Sequence, residues 1–444
     1  MSLKTAILKI TPPFVLALYH RSLAELGALW YGFPSEKLTV IGVTGTSGKS
    51  TTVFILHSLL EGVGSAVGSL STIAFKIGEW SKMNDRKMTM LGRFKTQQFL
   101  RRMVKANCQY AIIETTSQGI DQSRHRGIHY DLLLCTNLYP EHIEAHGGFE
   151  NYKKAKLKLF DHLAAGKKKK LGEREIPRRI VVNADDEHAH DFLDFSVEEK
   201  YAFTLHDKNL PAVTLLHAQN LETTPRGMKF TLDGHAFESP LRGEHNVRNV
   251  VAALTIARAL GISWEALQGA VRNLPPVPGR LEYINEGQPW DIVVDYAFEP
   301  GAMGNLYATL RPLQYKKIIQ VLGGTGGGRD KARRPVLGKM AAEFADYVIV
   351  TNEDPYDEDP EEIINQVEVG VLEGGKKDGR DLFVIKDRRE AIHKALTLAE
   401  SGGLVLITGK GCEQAIVGPN GSFSLWDDRE VVRDELKRIR AAKT

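Results

Sequence analysis

The stretch GVTGTSGKST, residues 42–51, decides the fold of the first half of this chain. It follows an apolar, β-branched run at residues 38–41 and opens an apolar-periodic segment, so the predicted order is strand, glycine-rich loop and helix. Glycines let backbone N–H groups approach phosphate oxygens, and the N-terminus of the following helix adds positive potential. The stretch therefore predicts a nucleotide-binding loop, formed by Gly45, Thr46, Ser47, Gly48, Lys49, Ser50 and Thr51.

The polar side chains of this loop have separate expected roles. Lys49 reaches the β/γ-phosphates, and the hydroxyl of Ser50 or Thr51 meets Mg²⁺. The spacing departs from the G-x-x-x-x-G-K-[ST] pattern, because Val43 stands where the first glycine belongs. The loop is therefore a variant of the form T-G-T-x-G-K-[ST]-[ST]. A glycine-rich turn that contains a lysine by chance is the alternative, and the strand and helix on either side disfavour it.

Length and composition limit the classes of protein that fit. A chain of 444 residues with 42% hydrophobic and 25% charged residues indicates two or three globular domains and excludes disorder of the whole chain. A net charge of +3 gives no general case for binding nucleic acid. The basic run at residues 167–170 predicts a solvated loop, with a polyanion site as the alternative. The three cysteines form no C-x-x-C pair or disulfide framework, which favours the cytoplasm.

Residues 5–31 are apolar but do not predict a membrane span. Lys9, two prolines and then His20, Arg21 and Glu25 interrupt them, so no run of ~18 uncharged apolar residues remains. No cleavage site of a secretory signal follows. The pattern is that of an amphipathic helix, which we expect to pack on the ATP-binding domain, with contact to a membrane surface or a partner as the alternative.

The order of predicted elements indicates the domain organisation. From residue 38 onward, strand-like runs alternate with helical patterns, which predicts a doubly wound α/β architecture. The proline-rich segment at residues 275–279 has the composition of a stiff linker, and a second strand–helix series follows it. The expected organisation is an N-terminal amphipathic helical segment (1–37), a P-loop central domain with a mostly parallel sheet (38–278) and a Rossmann-like C-terminal domain (279–444).

A carboxylate and an imidazole are predicted to converge on the nucleotide loop. Glu114 ends one apolar strand at its carboxyl edge, and His142 follows the next strand. Parallel α/β sheets place ligands at that edge. The two side chains could therefore hold a divalent ion that bridges the γ-phosphate and an attacking carboxylate.

Longer segments around these residues resemble the Mur ligase family, most closely the UDP-N-acetylmuramoyl-tripeptide synthetases, which add the third residue of the peptidoglycan stem. The family patterns are E-[VAT]-S/T-S-H-A-L-x-Q-x-R, then T-N-L-x-x-D-H-L-D-Y-H-G, then Y-x-x-A-K-x-x-L-F. Residues 114–124, 136–147 and 152–160 read nearly the same. The resemblance implies that Glu114 and His142 are Mg²⁺ ligands. It also implies that Lys156 is carbamylated and that its carbamate completes the metal site.

The resemblance covers roughly residues 38–435 and implies further roles. Nucleotide contacts are implied for four residues: Asn183, Asn246, Arg280 and Asp295. Contacts with the substrates are implied for six: Ser117, Arg124, Arg329, Asp354, Tyr356 and Glu413. The C-terminal domain, which contains the last four of these, is implied to bind the incoming amino acid.

Departures from the family pattern bear on the substrates. Only 37 residues precede the first strand, where the tripeptide synthetases carry a domain that binds the uridine nucleotide, so the acceptor is not necessarily gripped through UDP. Residues 89–92 replace a Thr-Thr-Pro segment, and Gln118 and Glu141 replace a histidine and an aspartate. The selector D-N-P-R of diaminopimelate-adding members reads E-D-P-Y at residues 353–356.

Tyr356 stands at the last position of that selector, where the pattern has an arginine. The chain therefore lacks there the guanidinium that would bind a second carboxylate through two hydrogen bonds. We therefore expect an amino acid other than meso-diaminopimelate, such as lysine or a neutral residue. A substitute donor from Arg329, Arg333 or Arg334 is the alternative.

The sequence as a whole predicts a monomeric, cytoplasmic, Mg²⁺- and ATP-dependent amide ligase. It would activate a carboxylate as an acyl phosphate and add an amino acid to a muramyl-peptide-like acceptor, releasing ADP and phosphate. No nucleic-acid partner and no transmembrane segment are expected. A glutamate ligase like folylpolyglutamate synthetase and a non-catalytic nucleotide-binding protein descended from a ligase are the alternatives.

Overall fold

The structure, a computed structural model, describes residues 12–140, 146–224, 227–328 and 330–442. The chain forms two compact units, Met1–Pro275 and Pro276–Thr444. The division lies at the start of the proline-rich segment. Two predicted site residues, His142 and Arg329, lie outside the described residues.

The first unit is built on an 11-stranded sheet with strand order β13-β12-β11-β10-β9-β6-β1-β5-β2-β3-β4. The run from β11 to β2 is parallel throughout, and the outer strands are antiparallel. The two strands that are not part of this sheet, β7 and β8, form a separate hairpin. The strands are β1 Thr39–Thr44, β2 Val67–Leu70, β3 Ala74–Ile77, β4 Trp80–Met83, β5 Tyr110–Glu114, β6 Leu132–Cys135, β7 Lys169–Leu171, β8 Arg174–Ile176, β9 Arg179–Asn183, β10 Glu199–Thr204, β11 Thr214–Thr224, β12 Gly227–Leu232 and β13 His235–Ser239.

Helices pack against this sheet and leave its central strands without exposed residues. Every residue of β1, β6 and β9 is buried, as expected for parallel strands covered on both faces. The helices are α1 Pro13–Trp30, α2 Lys49–Gly62, α3 Arg93–Lys105, α4 Ser117–Asp121, α5 Phe149–Ala164, α6 Ala189–Leu193, α7 Glu244–Ala259 and α8 Trp264–Arg272.

The second unit has a six-stranded sheet in the order β14-β15-β19-β16-β17-β18, in which only β14 is antiparallel. One hydrophobic cluster contains Val293 and Val348, and another contains Ile292 and Ile349, so successive residues of a strand face different cores. The strands are β14 Glu282–Tyr283, β15 Asp291–Val294, β16 Ile318–Leu322, β17 Tyr347–Val350, β18 Leu382–Val384, β19 Leu404–Ile407, and the hairpin β20 Ala415–Val417 with β21 Phe423–Leu425. The helices are α9 Pro300–Leu310, α10 Arg333–Phe344, α11 Pro360–Glu373, α12 Arg388–Leu398 and α13 Asp428–Ala441.

The architecture confirms the predicted α/β class with mostly parallel sheets. Among the described residues, no helix has the length and apolarity that a bilayer span requires. The parallel strands of the first unit all direct their carboxyl ends to one edge, where the predicted phosphate loop follows β1. That edge is therefore the place to look for a site.

Candidate functional site

The predicted phosphate loop connects the buried end of β1 to the first turn of α2. Gly45 has φ +142° and Gly48 has φ +77°, a region that favours glycine. A Cβ at Gly45 would lie 1.9 Å from Oγ1 of Thr136, so no larger residue fits there. Helix α2 begins at Lys49 with no side-chain cap on its N-terminus. A helix N-terminus without a side-chain cap directs its first N–H groups outward, which suits the binding of a phosphate.

Two residues that follow β6 hold this loop in shape. Oδ1 of Asn137 accepts hydrogen bonds from the backbone N–H groups of Thr46, at 3.0 Å, and Ser47, at 2.8 Å. Oγ1 of Thr136 donates to the Ser47 carbonyl at 2.7 Å. Both residues belong to a segment that resembles the family pattern, but no role was predicted for them. Their position at the end of a strand beside β1 was the sequence feature that could have indicated a role in holding the loop.

The side chain of Lys49 folds back onto the predicted phosphate loop. Its Nζ donates to the Thr46 carbonyl at 2.8 Å. The ammonium group is thus held within the concave side of the loop, where a phosphate oxygen could replace the carbonyl as acceptor.

Ser50 and Glu114 come together as predicted residues of one site. Oγ of Ser50 donates to Oε1 of Glu114 at 2.9 Å, and the Thr72 N–H donates to Oε2 at 2.8 Å. Glu114 is buried at the end of β5. A hydroxyl beside a carboxylate is an oxygen donor set that suits Mg²⁺. Thr72 was missed, since only the fold brings it to Glu114.

Two further metal ligands are predicted, His142 and Lys156. Of these, His142 lies outside the described residues. Within the described ranges, no group of three or more His, Cys, Asp or Glu side chains forms a cluster able to hold a metal ion. Thr51 is buried in the first turn of α2, next to Ser50.

Lys156 is buried in α5 and points at the phosphate loop. Its Nζ donates to the Gly45 carbonyl at 2.7 Å and lies 4.5 Å from the ring centre of Tyr152. Burial, and then the positive charge of Lys49, lower the pKa of Lys156 well below its ordinary value. A larger share of this amine is therefore neutral and nucleophilic at neutral pH.

The two asparagines predicted to contact the nucleotide lie at element ends of the first unit. Asn183 is the last residue of β9, and its Oδ1 accepts from the Asp185 N–H at 3.1 Å. Asn246 lies in the first turn of α7, where its Oδ1 accepts from Nδ2 of Asn249 at 3.5 Å. Oδ1 of Asn249 would meet a Cβ at Gly48 at 2.5 Å, so this second asparagine connects α7 to the loop.

Arg124, a predicted substrate residue, is paired with an arginine that the sequence analysis did not single out. Nη2 of Arg124 donates to Oε1 of Gln122 at 2.6 Å, while Arg93 donates to the Gln122 carbonyl. After burial, the charges of Arg93 and Arg124 both lower the pKa of His20. In the part of the chain that the structure describes, neither guanidinium has an acidic partner. The predicted Ser117 lies on α4, with its Oγ 3.0 Å from Nε2 of His146.

The second unit brings together three of its predicted residues. Nζ of Lys410 donates to both carboxylate oxygens of Asp354, at 2.9 and 2.8 Å, and to Oε2 of Glu413 at 2.9 Å. Oε1 of Glu413 accepts from the Tyr296 hydroxyl at 3.1 Å. These groups border a small cavity that is lined by Tyr296, Phe298, Thr325, Glu353, Asp354, Tyr356, Gly409 and Glu413.

Tyr356 is held against the glycine-rich segment after β16. Its backbone has φ +52°, and its ring would lie 2.7 Å from a Cβ at Gly327. Arg334 is fully buried and donates to Glu358 and to the Thr325 carbonyl, both at 2.9 Å. Arg333 pairs with Glu299 at 3.3 Å. The arginines of α10 are therefore engaged within the unit.

Arg280 and Asp295, predicted to contact nucleotide, lie at the start of the second unit. The Arg280 guanidinium stacks 3.9 Å from the ring centre of Tyr296. Asp295 accepts from the N–H groups of Leu281, at 2.5 Å, and Ala297, at 2.7 Å. Burial raises the pKa of Asp295, and the charge of Arg280 opposes that rise.

Both units of this chain match models of known protein families. The Mur ligase middle domain matches residues 43–257, and the family described as Mur ligase, glutamate ligase domain, matches residues 279–411. A UDP-N-acetylmuramyl-tripeptide synthetase of Roseiflexus sp. (strain RS-1) is 38% identical over 430 residues, covering 94% of this chain and 82% of that protein. A UDP-N-acetylmuramoyl-L-alanyl-D-glutamate–2,6-diaminopimelate ligase of Geobacillus thermodenitrificans (strain NG80-2) is 34% identical over 436 residues, covering 97% and 85%.

Solved structures show the same fold. A UDP-N-acetylmuramoyl-L-alanyl-D-glutamate–2,6-diaminopimelate ligase superposes with a TM-score of 0.60 at 29% identity, covering 91% of this chain and 79% of the other. A folylpolyglutamate synthase of Mycobacterium tuberculosis reaches a TM-score of 0.67 at 16% identity, covering 87% and 92%. The second likeness concerns the fold alone, whereas the sequence identities point to the muramyl ligases.

Proposed function

Since this chain belongs to the Mur ligase family of ATP-dependent acid–amino-acid ligases, we propose that it joins an amino acid to a muramyl-peptide-like acceptor in the synthesis of peptidoglycan precursors. One observation supports the catalytic part above all. The phosphate loop, Glu114 and the buried amine of Lys156 meet at the carboxyl edge of one parallel sheet. We place the reaction in the cytoplasm, where ATP is available and the three buried free thiols stay reduced.

The residues of the loop bind and orient the nucleotide in this proposal. Bound MgATP supplies the phosphoryl group that turns the acceptor carboxylate into an acyl phosphate, from which the amino group of the incoming residue displaces phosphate. The N-terminus of α2 would hold the phosphates, and the Lys49 ammonium would offset their charge. Ser50 and Glu114 would hold Mg²⁺ through oxygen, and His142 is the proposed nitrogen ligand.

Lys156 is proposed to act as a carbamate. Its neutral amine attacks the carbon of CO₂, the N–C bond forms, and the amine gives up a proton, leaving an N-bound carboxylate. The lowered pKa of Lys156 supports this step, because the protonated amine has no lone pair to react. The product is an anion where an ammonium would repel Mg²⁺.

The acceptor is proposed to bind through its anionic groups to Arg93 and Arg124. The two guanidinium groups are joined through Gln122 and have no acidic partner in the described ranges, so an anion would relieve their mutual repulsion. Ser117, which is hydrogen-bonded to His146, lies on α4, a few residues before Gln122 and Arg124. Both groups of residues belong to the first unit.

The second unit is proposed to select an amino acid with a cationic or neutral side chain. Its small cavity is bordered by the carboxylates of Glu353, Asp354 and Glu413, with aromatic rings beside them. Lys410 neutralises part of this negative charge. Tyr356 in this lining offers no guanidinium to a second carboxylate of the substrate, whose burial would then be costly.

A panel of amino acids tests this proposal. Phosphate release and product mass are measured with diaminopimelate, lysine, alanine, glycine and glutamate at equal concentration, and with UDP-linked and free muramyl peptides as acceptors. We expect lysine or a neutral amino acid to be used best. Tetrahydrofolate with glutamate is the comparison that identifies a folylpolyglutamate-type ligase, and no turnover with any pair would indicate a non-catalytic protein.

Tyr356→Arg sharpens the same experiment. The new guanidinium would offer a bidentate donor beside Pro355, so we expect the ratio of diaminopimelate to lysine turnover to rise by roughly tenfold or more. Phe423→Ser, at an exposed apolar residue of the same unit, is the matched control and should leave the ratio unchanged. A wild-type preference for diaminopimelate would contradict the selection that we propose.

A further inference from the structure

Helix α1 turns its small residues inward and its large apolar residues outward. Ala24, Gly27 and Ala28 are buried against the body of the first unit. Trp30 is 77% exposed, and Leu18 is 64% exposed. A surface helix normally shows the reverse arrangement, with its bulky apolar side chains in the core. Packing on the ATP-binding domain therefore does not account for the apolar residues of α1.

The outward residues lie on a single face of the helix and its following turn, in two groups separated by the exposed Ser22. We call this face the α1 stripe: Val15, Leu18, Tyr19, Leu26, Leu29, Trp30 and Phe33. Apolar side chains gathered on one exposed face mark an interaction site more often than isolated exposed residues do.

The helix that packs against α1 is strongly basic. Helix α3 has the sequence RFKTQQFLRRMVK, which contains five cationic and no acidic residues. It packs against α1, and a Cβ at Gly27 would lie 3.6 Å from the Phe94 ring. Lys95, Arg102 and Lys105 of α3 are exposed. Helix α1 itself carries Arg21 and Glu25, which balance each other, so the excess positive charge comes from α3.

We propose that the α1 stripe docks on an anionic lipid surface, with α1 lying in the plane of the membrane interface. The stripe is rich in leucine and has Tyr19, Trp30 and Phe33 at its edge, as interfacial helices do. The exposed cations of α3 would meet lipid phosphates. A second copy of the chain is a worse occupant, because a symmetric contact would bring two sets of α3 cations together.

Vesicle sedimentation with the full chain tests this proposal. We expect the protein to sediment with vesicles made of equal parts phosphatidylcholine and phosphatidylglycerol, and to bind vesicles of phosphatidylcholine alone at least roughly tenfold more weakly. Added salt should weaken binding to the anionic vesicles, because it screens the attraction of the α3 cations. No binding to anionic vesicles at low salt would overturn the proposal.

Two sets of substitutions separate the apolar and the charged contributions. Leu26→Ser, Leu29→Ser and Trp30→Ser together should abolish vesicle binding, since they remove the central apolar surface of the stripe. Lys95→Glu, Arg102→Glu and Lys105→Glu together should reduce binding by more than about tenfold. Phe423→Ser with Leu425→Ser, which removes two exposed apolar residues of the second unit, is the matched control and should bind like the wild type.

Trp30→Phe tests the orientation of α1 by fluorescence while it keeps the apolar surface of the α1 stripe. This variant should still bind the vesicles, but the blue shift of tryptophan emission on binding should be largely lost. An unchanged blue shift would place Trp30 outside the lipid and contradict the proposed orientation. Concentration-dependent dimerisation that the triple serine variant abolishes, without vesicle binding by the wild type, would identify a second copy as the occupant instead.

Discussion

Lys49 is the residue on which we expect nucleotide use to depend most directly. Its Nζ rests on the Thr46 carbonyl at 2.8 Å, and it belongs to no hydrophobic cluster. Lys49→Ala should therefore lower the rate of ATP-dependent phosphate release by roughly 10²–10³-fold, because one charged group that stabilises the transferred phosphoryl group is lost. The thermal midpoint of the unliganded protein should stay close to that of the wild type. Retained turnover would mean that the loop has a structural role only.

Lys156 offers a chemical test of the carbamate. Lys156→Ala should abolish ligation, and a small carboxylic acid should restore part of it by occupying the place of the carbamate. Lys154→Ala on the same helix is the matched control and should keep full activity. In the wild type, ¹³C-labelled bicarbonate should give a carbamate resonance that Lys156→Ala lacks. A fully active alanine variant would refute the modification.

The residues of the candidate site differ in how far the sequence alone could predict them. Lys49 and Glu114 follow from the strand–loop–helix pattern, because motif and strand end are both local features. Lys156 follows from the resemblance to Mur ligases, since one lysine among several on a helix has no local mark. Thr72 and Arg93 could not be predicted, because separate segments of the chain bring them to Glu114 and to Gln122.

At the level of elements, the buried parallel strands were predictable and the outer strands were not. The apolar runs at residues 111–113, 131–135 and 180–182 predict three strands, and β5, β6 and β9 agree with them within one residue at each end. The edge strand β4 is almost wholly exposed, and β11, at the margin of the parallel run, has only two buried residues, so their sequences lack a continuous apolar run. Their pairing depends on the neighbouring strands of the sheet, which their own sequences do not reveal.

The packing of α10 against α11 depends on two glycines. A Cβ at Gly338 would lie 2.0 Å from the Val367 carbonyl oxygen, and one at Gly370 would lie 1.9 Å from that of Pro335. The obstructing atoms are backbone atoms, which cannot move aside as a flexible side chain can. Gly338→Ala should therefore separate the two helices and lower the free energy of unfolding of the second unit by roughly 1–3 kcal/mol. Chemical denaturation followed by circular dichroism measures this loss.

Gly304→Ala is the control for that substitution. Gly304 lies within α9 of the same unit, and a Cβ at this position would have Cε of Met340 as its nearest neighbour, 4.0 Å away. The alanine there should be neutral or should stabilise the unit by up to about 1 kcal/mol through helix propensity. Equal effects of the two substitutions would show that the close approach at Gly338 is not what stabilises the helix pair.

At the scale of the whole molecule, histidines are distributed unevenly between the two units. His57 and His125 of the first unit are buried, and both ring nitrogens of each lack a hydrogen-bond partner among the described residues. Burial, with smaller contributions from nearby cations, lowers the pKa of each from 6.5 to about 3. The second unit contains one histidine, His393, which pairs with Glu435 at 3.0 Å. Mild acid should therefore act mainly on the first unit.

The sign and size of this acid effect follow from proton binding. Between pH 6.5 and 3 the unfolded chain protonates His57 and His125 while the folded unit does not, so acid favours unfolding. From pH 7 to pH 5 each histidine should remove about 2 kcal/mol of stability. Calorimetry at both pH values measures it, and a Mg²⁺–nucleotide analogue identifies the first-unit transition by raising its midpoint. His57→Leu and His125→Leu should each flatten the pH dependence by a similar amount, and a slope that both leave unchanged would assign the acid sensitivity to other groups.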